Sequence, residues 1–184
     1  MRKIPTIFVR DWSVDGRWVT KTPEPSCLWV FEGEGVATRK YDGTCVTHSI
    51  SGAWFARREV KAGKDLPEGF ITLNVDATTG KTVGWEPIES SPFYKYFLQA
   101  IQDKEDDYLV GTHELCGPKI NGNPEGFDHH VLIDHAAAEI IDIPDRSYDS
   151  LHARLTQPDW TYEGIVFHHP DGRMAKIKRK DFPQ

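Results

Sequence analysis

The segment from Glu163 to Lys178 constrains the fold more than any other. Glu163-Gly164-Ile165-Val166-Phe167-His168 is a strand-length run, Pro170-Asp171-Gly172 carries turn chemistry, and Arg173-Met174-Ala175-Lys176-Ile177-Lys178 is a second run. Apolar alternation on both sides of a Pro-Asp-Gly turn predicts an antiparallel hairpin. With Pro170 and Asp171 as the two central turn residues, Phe167 falls opposite Met174, Ile165 opposite Lys176 and Glu163 opposite Lys178. Alternation then places Lys176, Lys178 and Glu163 on one face, the two lysines about 7 Å apart. Two ammonium groups and a carboxylate suit a phosphate and its metal ion. The bland alternative is an exposed hairpin whose charges solvate it and whose cross-strand ion pair contributes little.

The rest of the chain reads as further short strands with two helices. Strands are expected at Thr6–Val9, Trp18–Thr20, Cys27–Phe31, Thr44–Ile50, Ala53–Val60, Ile71–Val75, Val83–Trp85, Tyr108–Cys116, Val131–Ile133 and Glu139–Ile143. From Ser91 the period changes: Phe93, Tyr96, Phe97, Ala100 and Ile101 recur at helical spacing behind Pro92, which suits a first helical turn. Ser147 caps a second helix running to Leu155. Asp103–Asp107 is an acidic loop, and Ile120–Phe127 is rich in Asn, Gly and Pro. Many strands with two helices predict an α+β domain.

Composition sets bounds. The chain has 184 residues, 39% hydrophobic and 27% charged, enough for one globular domain with a core. A net charge of −6 excludes a generally basic coat but leaves room for a local basic groove. Cys27, Cys45 and Cys116 are odd in number and far apart, which fits a reducing cytosol better than a disulfide framework, so a cytoplasmic location is expected. The apolar run after Met1-Arg2-Lys3 stops at Asp11, too short for a signal sequence, and no run approaches a membrane span.

Within this frame, Arg39-Lys40-Tyr41-Asp42-Gly43-Thr44 stands out. A lysine at a strand edge is a candidate nucleophile. Free lysine, with a pKa of about 10.4, carries almost no neutral amine at pH 7, so such a residue needs desolvation or neighbouring cations. Gly43 allows close approach of the backbone to a ligand. Glu114 lies in a strand before Gly117-Pro118, where a solvent-facing side chain is the ordinary outcome. Arg57 and Arg58 are adjacent and face opposite sides of their strand. His129, His130, His135, His168 and His169 lack companions at metal-ligand spacing. The chain contains no Gly-x-Ser-x-Gly elbow, no Walker loop and no Gly-x-Gly-x-x-Gly.

Taken in order, these pieces resemble the covalent nucleotidyltransferase superfamily of ATP-dependent ligases and mRNA-capping enzymes. Within it the chain looks like the 5′–3′ RNA ligase family that includes the vertebrate RNA ligase and short microbial relatives. Lys40-Tyr41-Asp42-Gly43-Thr44 resembles motif I and Phe55-Ala56-Arg57-Arg58-Glu59 resembles motif Ia. Glu114-Leu115-Cys116-Gly117 through Asn121-Gly122-Asn123-Pro124 resembles motif III, and Val131–His135 motif IIIa. Glu163–Phe167 resembles motif IV and Lys176-Ile177-Lys178 motif V, while Gly84–Glu89 is similar to a further family segment. The similarity runs from about Ile4 to Phe182.

The resemblance implies one nucleotidyltransferase (ATP-grasp-like) domain over residues 1–184, two mainly antiparallel sheets flanked by helices with the nucleotide cleft between them. No OB domain and no C-terminal extension like those of larger relatives are expected, which leaves open how nucleic acid and pyrophosphate are held. It implies that Lys40 takes AMP from ATP with Mg²⁺ or Mn²⁺, and passes it to the 5′-phosphate of RNA. A 3′-hydroxyl end then closes the strand. Arg39, Asp42, Arg57, Glu114, His135, Glu163, Lys176 and Lys178 would hold the nucleotide, and Glu163 and Glu114 the metal. The base-stacking residue stays open among His130, Leu132 and His135. A basic groove of Arg57, Arg58, Lys61, Lys64, Arg179 and Lys180 would take the RNA backbone. No oligomeric state is implied. DNA nick sealing, GMP capping and a non-catalytic nucleotide- or RNA-binding module are the alternatives.

Overall fold

The computed structural model describes residues 4–77, 79–102 and 108–183; the acidic run Asp103–Asp107 lies outside them. In chain order the regular elements are β1 (Phe8–Arg10), β2 (Val19–Pro23), α1 (Leu28–Phe31), β3 (Val36–Lys40), β4 (Thr44–His48), β5 (Trp54–Val60), β6 (Ile71–Val75), β7 (Thr82–Pro87), α2 (Tyr94–Ile101), β8 (Gly111–Cys116), β9 (Val131–Asp134), α3 (Tyr148–Thr156), β10 (Gly164–His168) and β11 (Met174–Lys178). The architecture is α+β, with antiparallel sheets and few helices. The chain forms two compact units, one of Asp42–Ala137 and the other of Lys3–Tyr41 with Ala138–Gln184.

The Asp42–Ala137 unit is built on a six-stranded sheet in the order β6-β7-β5-β4-β8-β9. Its apolar side chains at Val46, Trp54, Ala56 and Leu115 join Phe97 and Ile101 of α2 in one core. Strand alternation sends Cys45, Thr47, Phe55, Arg57, Thr112 and Glu114 to the opposite face. The expected helix from Phe93 to Ile101 is α2, because its apolar residues at three- and four-residue spacing cover the sheet.

The other unit contains the three-stranded sheet β11-β10-β3 and the two-stranded sheet β1-β2. Ile165, Phe167, Ala175, Ile177 and Ala37 pack with Trp29, Val30, Leu151 and Leu155. The other face of β3, β10 and β11 therefore carries Lys40, Thr38, Gly164, Val166, Lys176 and Lys178. α3 has the expected cap: the Ser147 side chain accepts from the Ser150 amide.

Three expectations are corrected. Cys27–Phe31 is not a strand: Pro25 opens a 3-10 turn that runs into α1, with Trp29 and Val30 buried. A short apolar run fits either structure, and the preceding turn decides. Glu139–Ile143 makes only a bridge, Thr38↔Ile140, with hydrogen bonds from the Arg39 amide to the Glu139 carbonyl (2.8 Å) and from the Ile141 amide to the Ala37 carbonyl (2.9 Å). Finally, the C-terminal hairpin register is one residue off the expected one. Gly164 lies opposite Lys178, Val166 opposite Lys176 and His168 opposite Met174. The loop has three residues rather than two, closed by the His169 amide on the Arg173 carbonyl at 2.9 Å, with Gly172 at φ 89°. A glycine in that conformation lets the loop take one more residue before pairing resumes.

Candidate functional site

The corrected register produces a charged row. Gly164 lies between Lys40 on β3 and Lys178 on β11, opposite both. The next row on the same face is Thr38–Val166–Lys176. Gly164 adds no side chain to this row, and it could not carry one: a Cβ there would sit 2.1 Å from the Ile177 carbonyl oxygen. Glu163 lies just before β10, its carbonyl accepting from the Arg179 amide at 2.9 Å. Its carboxylate lies 2.6 Å from Lys40 Nζ through Oε2 and is hydrogen-bonded to Lys178 Nζ through Oε1. So Glu163, one residue before the row, joins the lysines by side-chain reach rather than by strict alternation.

Electrostatics on this face favour an anion. Three ammonium groups gather around the Glu163 carboxylate, with Asp181 a second carboxylate acting on Lys176. Burial would raise the Glu163 carboxyl, but Lys40 and Lys178 outweigh it and hold the carboxyl below its usual range. Burial, reinforced by the charges of Lys178 and Lys40, pushes the Lys176 ammonium down to about 8. A phosphate placed there would relieve the repulsion among the lysines. Lys176, Lys178 and Lys180 also line a surface groove of about 750 Å³ with Arg10, Arg17 and the exposed Trp12.

The Asp42–Ala137 unit holds a second polar cluster. Glu114 is buried, not solvent-facing, and Cys45 stands directly opposite it across β4 and β8. Glu114 Oε1 accepts from the Gly43 amide at 3.1 Å, and Oε2 lies 2.9 Å from His135 Nε2. His135 Nδ1 lies 2.9 Å from Thr112 Oγ1. The close approach that Gly43 permits is to β8: a Cβ there would meet the Leu115 carbonyl oxygen at 2.4 Å and Glu114 Cγ at 2.8 Å.

Asp42 is held in the same unit. Its amide donates to Glu125 at 2.8 Å, and Asn121 Nδ2 donates to Asp42 Oδ1 (3.0 Å) and to the Gly43 carbonyl (2.8 Å). Asn121 and Asn123 take positive φ, 49° and 60°, which asparagine tolerates better than most residues. The Asn-Gly-Asn-Pro stretch is thus a fixed loop that secures the residues after Lys40. Asn121, Glu125, Thr112, Cys45 and Gly164 did not emerge from the sequence as site residues. The positive-φ tolerance of Asn-Gly is the one local signal that pointed to an ordered loop.

Other expected residues are placed elsewhere. Arg39 faces away from the lysine row and stacks on Tyr162 and Tyr41, its Cζ 4.0 and 4.5 Å from their ring centroids. Arg57 shares the sheet face of Cys45 and Glu114, whereas Arg58 lies on the α2 face, paired at 2.5 Å with buried Glu86. Lys61 and Lys64 are exposed in the loop after β5. Arg179 donates to the Trp160 carbonyl at 3.0 Å, and Lys180 is exposed. Of the base-stacking candidates, His130 is stacked on Tyr96 and accepts from the Lys119 amide, and Leu132 packs on the α2 core. Among the described residues no helix is long and apolar enough to cross a membrane.

Comparison with known proteins points to one family. Residues 97–183 match the family described as RNA ligase 1, the group to which the motifs also point. That span contains Glu114, His135, Glu163, Lys176 and Lys178 and excludes Lys40 and Arg57. An RNA ligase 1 of Pongo abelii is 37% identical over 79 residues, covering 40% of this chain and 24% of that protein. One of Danio rerio is 33% identical over 79 residues with the same coverage. One of Rattus norvegicus is 24% identical over 158 residues, covering 68% of this chain and 46% of that protein. The chain therefore spans less than half the length of these curated relatives.

Proposed function

From a chain whose residues 97–183 match RNA ligase 1, we propose an ATP-dependent RNA ligase that works through a lysyl-AMP intermediate on Lys40. The observation that carries this reading is the placement of Lys40, the motif I lysine, beside Glu163 and Lys178 on the face that also bears Lys176. A nucleophilic lysine next to two further ammonium groups suits attack at a phosphate whose charge must be neutralised.

The proposed sequence has three in-line substitutions at phosphorus. Lys40 Nζ, having given a proton to solvent, attacks the α-phosphorus of ATP; the P–N bond forms and pyrophosphate leaves. A 5′-phosphate oxygen of RNA then attacks the same phosphorus, and the P–N bond breaks. The 3′-hydroxyl of a second RNA end attacks the activated 5′-phosphorus, losing its proton and releasing AMP. Lys176 and Lys178 neutralise the non-bridging oxygens. Glu163 orients Lys40, and by the resemblance Arg57 and Glu114 hold the ribose.

Mg²⁺ fits Glu163, the carboxylate of the lysine face, because Mg²⁺ is commonly held by one carboxylate together with substrate phosphates. When bound it supplies charge neutralisation at the phosphates. Glu114 is flanked by a thiol and an imidazole, a softer donor set than Mg²⁺ takes, so the proposal keeps magnesium at Glu163.

The test is covalent labelling. With Mg²⁺ and ATP labelled at the α-phosphate, the protein should carry label through a denaturing gel, acid-labile and alkali-stable as a phosphoramidate is. Label at the γ-phosphate should leave none. Lys40→Ala and Lys40→Arg should both abolish labelling, since a guanidinium does not become a neutral nucleophile. Label retained in Lys40→Ala would overturn the assignment. Absence of label from both ATP and GTP would favour a binding module, and nicked DNA or GTP as the preferred substrate would favour the other transferases.

A further inference from the structure

The strands β4 and β8 bring together a set of side chains that the lysine chemistry does not use as ligands. Cys45 Sγ, a Glu114 carboxylate oxygen and a His135 ring nitrogen all lie within 4.8 Å of one another. Thiolate, imidazole and carboxylate are the three side-chain types that bind zinc. All three belong to the Asp42–Ala137 unit and sit on the sheet face away from α2. We propose that Cys45, Glu114 and His135 form a binding site for a thiophilic divalent cation of the Zn²⁺ and Co²⁺ class.

Supporting contacts already aim these ligands. His135 Nδ1 is 2.9 Å from the Thr112 hydroxyl, which leaves Nε2 pointing at Glu114. With a proton on Nδ1 donated to Thr112, the Nε2 lone pair faces the cation, the usual outer-shell arrangement for a metal-bound histidine. Glu114 Oε1 is fixed by the Gly43 amide at 3.1 Å, so Oε2 is the oxygen presented to the ion. The pairing of Cys45 opposite Glu114 is fixed by the β4–β8 register, which runs through five residue pairs. Cys45 and His135 are only partly buried, so an ion can reach them.

Binding replaces the thiol proton of Cys45, which is released to solvent, and the 2.9 Å contact between Glu114 and His135 opens as both turn to the ion. Three protein ligands leave one tetrahedral position for water or another ligand. Mg²⁺, which prefers oxygen, should not compete. A bound ion would also occupy Glu114, the residue that the resemblance assigns to the ribose. That consequence rests on the ligase reading; the metal measurement does not.

The experiment uses the untagged full chain, freed of metal and held in a non-thiol reductant. Cobalt(II) is titrated while the thiolate-to-cobalt charge-transfer band is followed, then Zn²⁺ is added. Iodoacetamide alkylation of Cys45 is mapped by mass spectrometry with and without Zn²⁺. The expected results are saturation at one cobalt per chain, loss of the band on adding Zn²⁺ but not excess Mg²⁺, and alkylation of Cys45 slowed at least about tenfold by Zn²⁺. Cys45→Ser should remove the band, and His135→Ala and Thr112→Val should each weaken Zn²⁺ binding about 10–100-fold. No band in the wild type, alkylation of Cys45 unaffected by Zn²⁺, or a band surviving in Cys45→Ser would overturn the site. The wild-type measurements decide the matter even where a variant folds poorly. Failure of ATP labelling with a positive cobalt titration would count against the ligase reading alone.

Discussion

On the three-stranded sheet, Gly164 comes against β11 and the Glu163 carboxylate beside it joins Lys40 and Lys178. On the six-stranded sheet, Gly43 comes against β8 and the Glu114 carboxylate receives its amide. The steric device is the same, a glycine where a Cβ would collide, with a glutamate beside it. The chemistry differs because the neighbours differ. Glu163 is surrounded by Lys40, Lys178 and Lys176, so that face attracts anions. Glu114 is surrounded by a backbone amide, His135, Thr112 and Cys45, so that face offers ligands to a cation or a hydroxyl. A glutamate in a β-rich motif has no fixed role; the charged and hydrogen-bonding groups around it assign it one.

Removing the two carboxylates in turn should give the largest contrast. Glu163→Gln removes the carboxylate that Lys40 and Lys178 share and should destabilise the fold by about 2–3 kcal/mol in low salt. Inorganic pyrophosphate should recover most of the loss. Glu114→Gln keeps an acceptor for the Gly43 amide and should cost about 1 kcal/mol with no recovery by pyrophosphate. Urea midpoints with and without the anion separate the two, and equal responses would erase the distinction between the faces.

The glycines come next. Gly164→Ala and Gly43→Ala each force a Cβ onto backbone, 2.1 Å and 2.4 Å from a carbonyl oxygen. Overpacking of this kind costs about 1–3 kcal/mol. Gly164→Ala should also cut the proposed lysyl-AMP formation by moving Glu163, and a labelling rate equal to the wild type would show that close packing at Gly164 is not what places the carboxylate.

Titration should report on the lysine face. Lys176 falls to about 8 from an ordinary 10.5. Below about pH 8 the folded and unfolded chains both hold its proton, and the cost of burying the charge is present in full. As pH rises through 8 towards 10.5 the unfolded chain binds more protons, so this cost is relieved and stability rises. The relief is on the order of 1–3 kcal/mol. Lys176→Met should remove it, which chemical denaturation at a series of pH values would show; a parallel pH response in the variant would mean that the charge is not buried as described.

The smallest effect belongs to the rim. Lys180→Ala should leave labelling intact and reduce the slope of log affinity for RNA against log salt by about 1. Arg58→Ala, whose guanidinium is paired with Glu86, should change that slope less. The reverse order would move the RNA surface to the Asp42–Ala137 unit.

Period-two and period-three-to-four patterns made part of this legible. The common face of Lys176 and Lys178, the helix ending at Ile101 and the Ser147 cap depend on residues close in sequence, and each reads from local spacing. The hairpin loop did not, because Pro170-Asp171-Gly172 serves a two-residue or a three-residue turn, and only the conformation of Gly172 decides. Glu163 therefore had the right partner for the wrong geometric reason. The surroundings of Glu114 were hidden for another cause. Cys45 reaches it through pairing of distant strands. Gly43 on Glu114 and Glu125 on Asp42 are contacts between segments far apart in the chain, and no local period records such contacts. Arg39 shows the converse: the resemblance included it among the nucleotide-holding residues, and strand alternation puts it on the face opposite Lys40.

The pairing of β3 with β10 also sets a clock for synthesis. Lys40 and Gly164 stand side by side in the finished sheet, yet Lys40 leaves the ribosome first. At about 5–20 residues per second, the ribosome needs roughly 6–25 seconds to reach the glycine. Throughout that interval the whole of β4 to β9 is made, and those strands pair only with one another. Lys40 spends it with neither Glu163 nor Lys178 in existence. A nascent chain stalled before Tyr162 would thus carry Lys40 on an unfinished face, which is completed only when β10 and β11 follow.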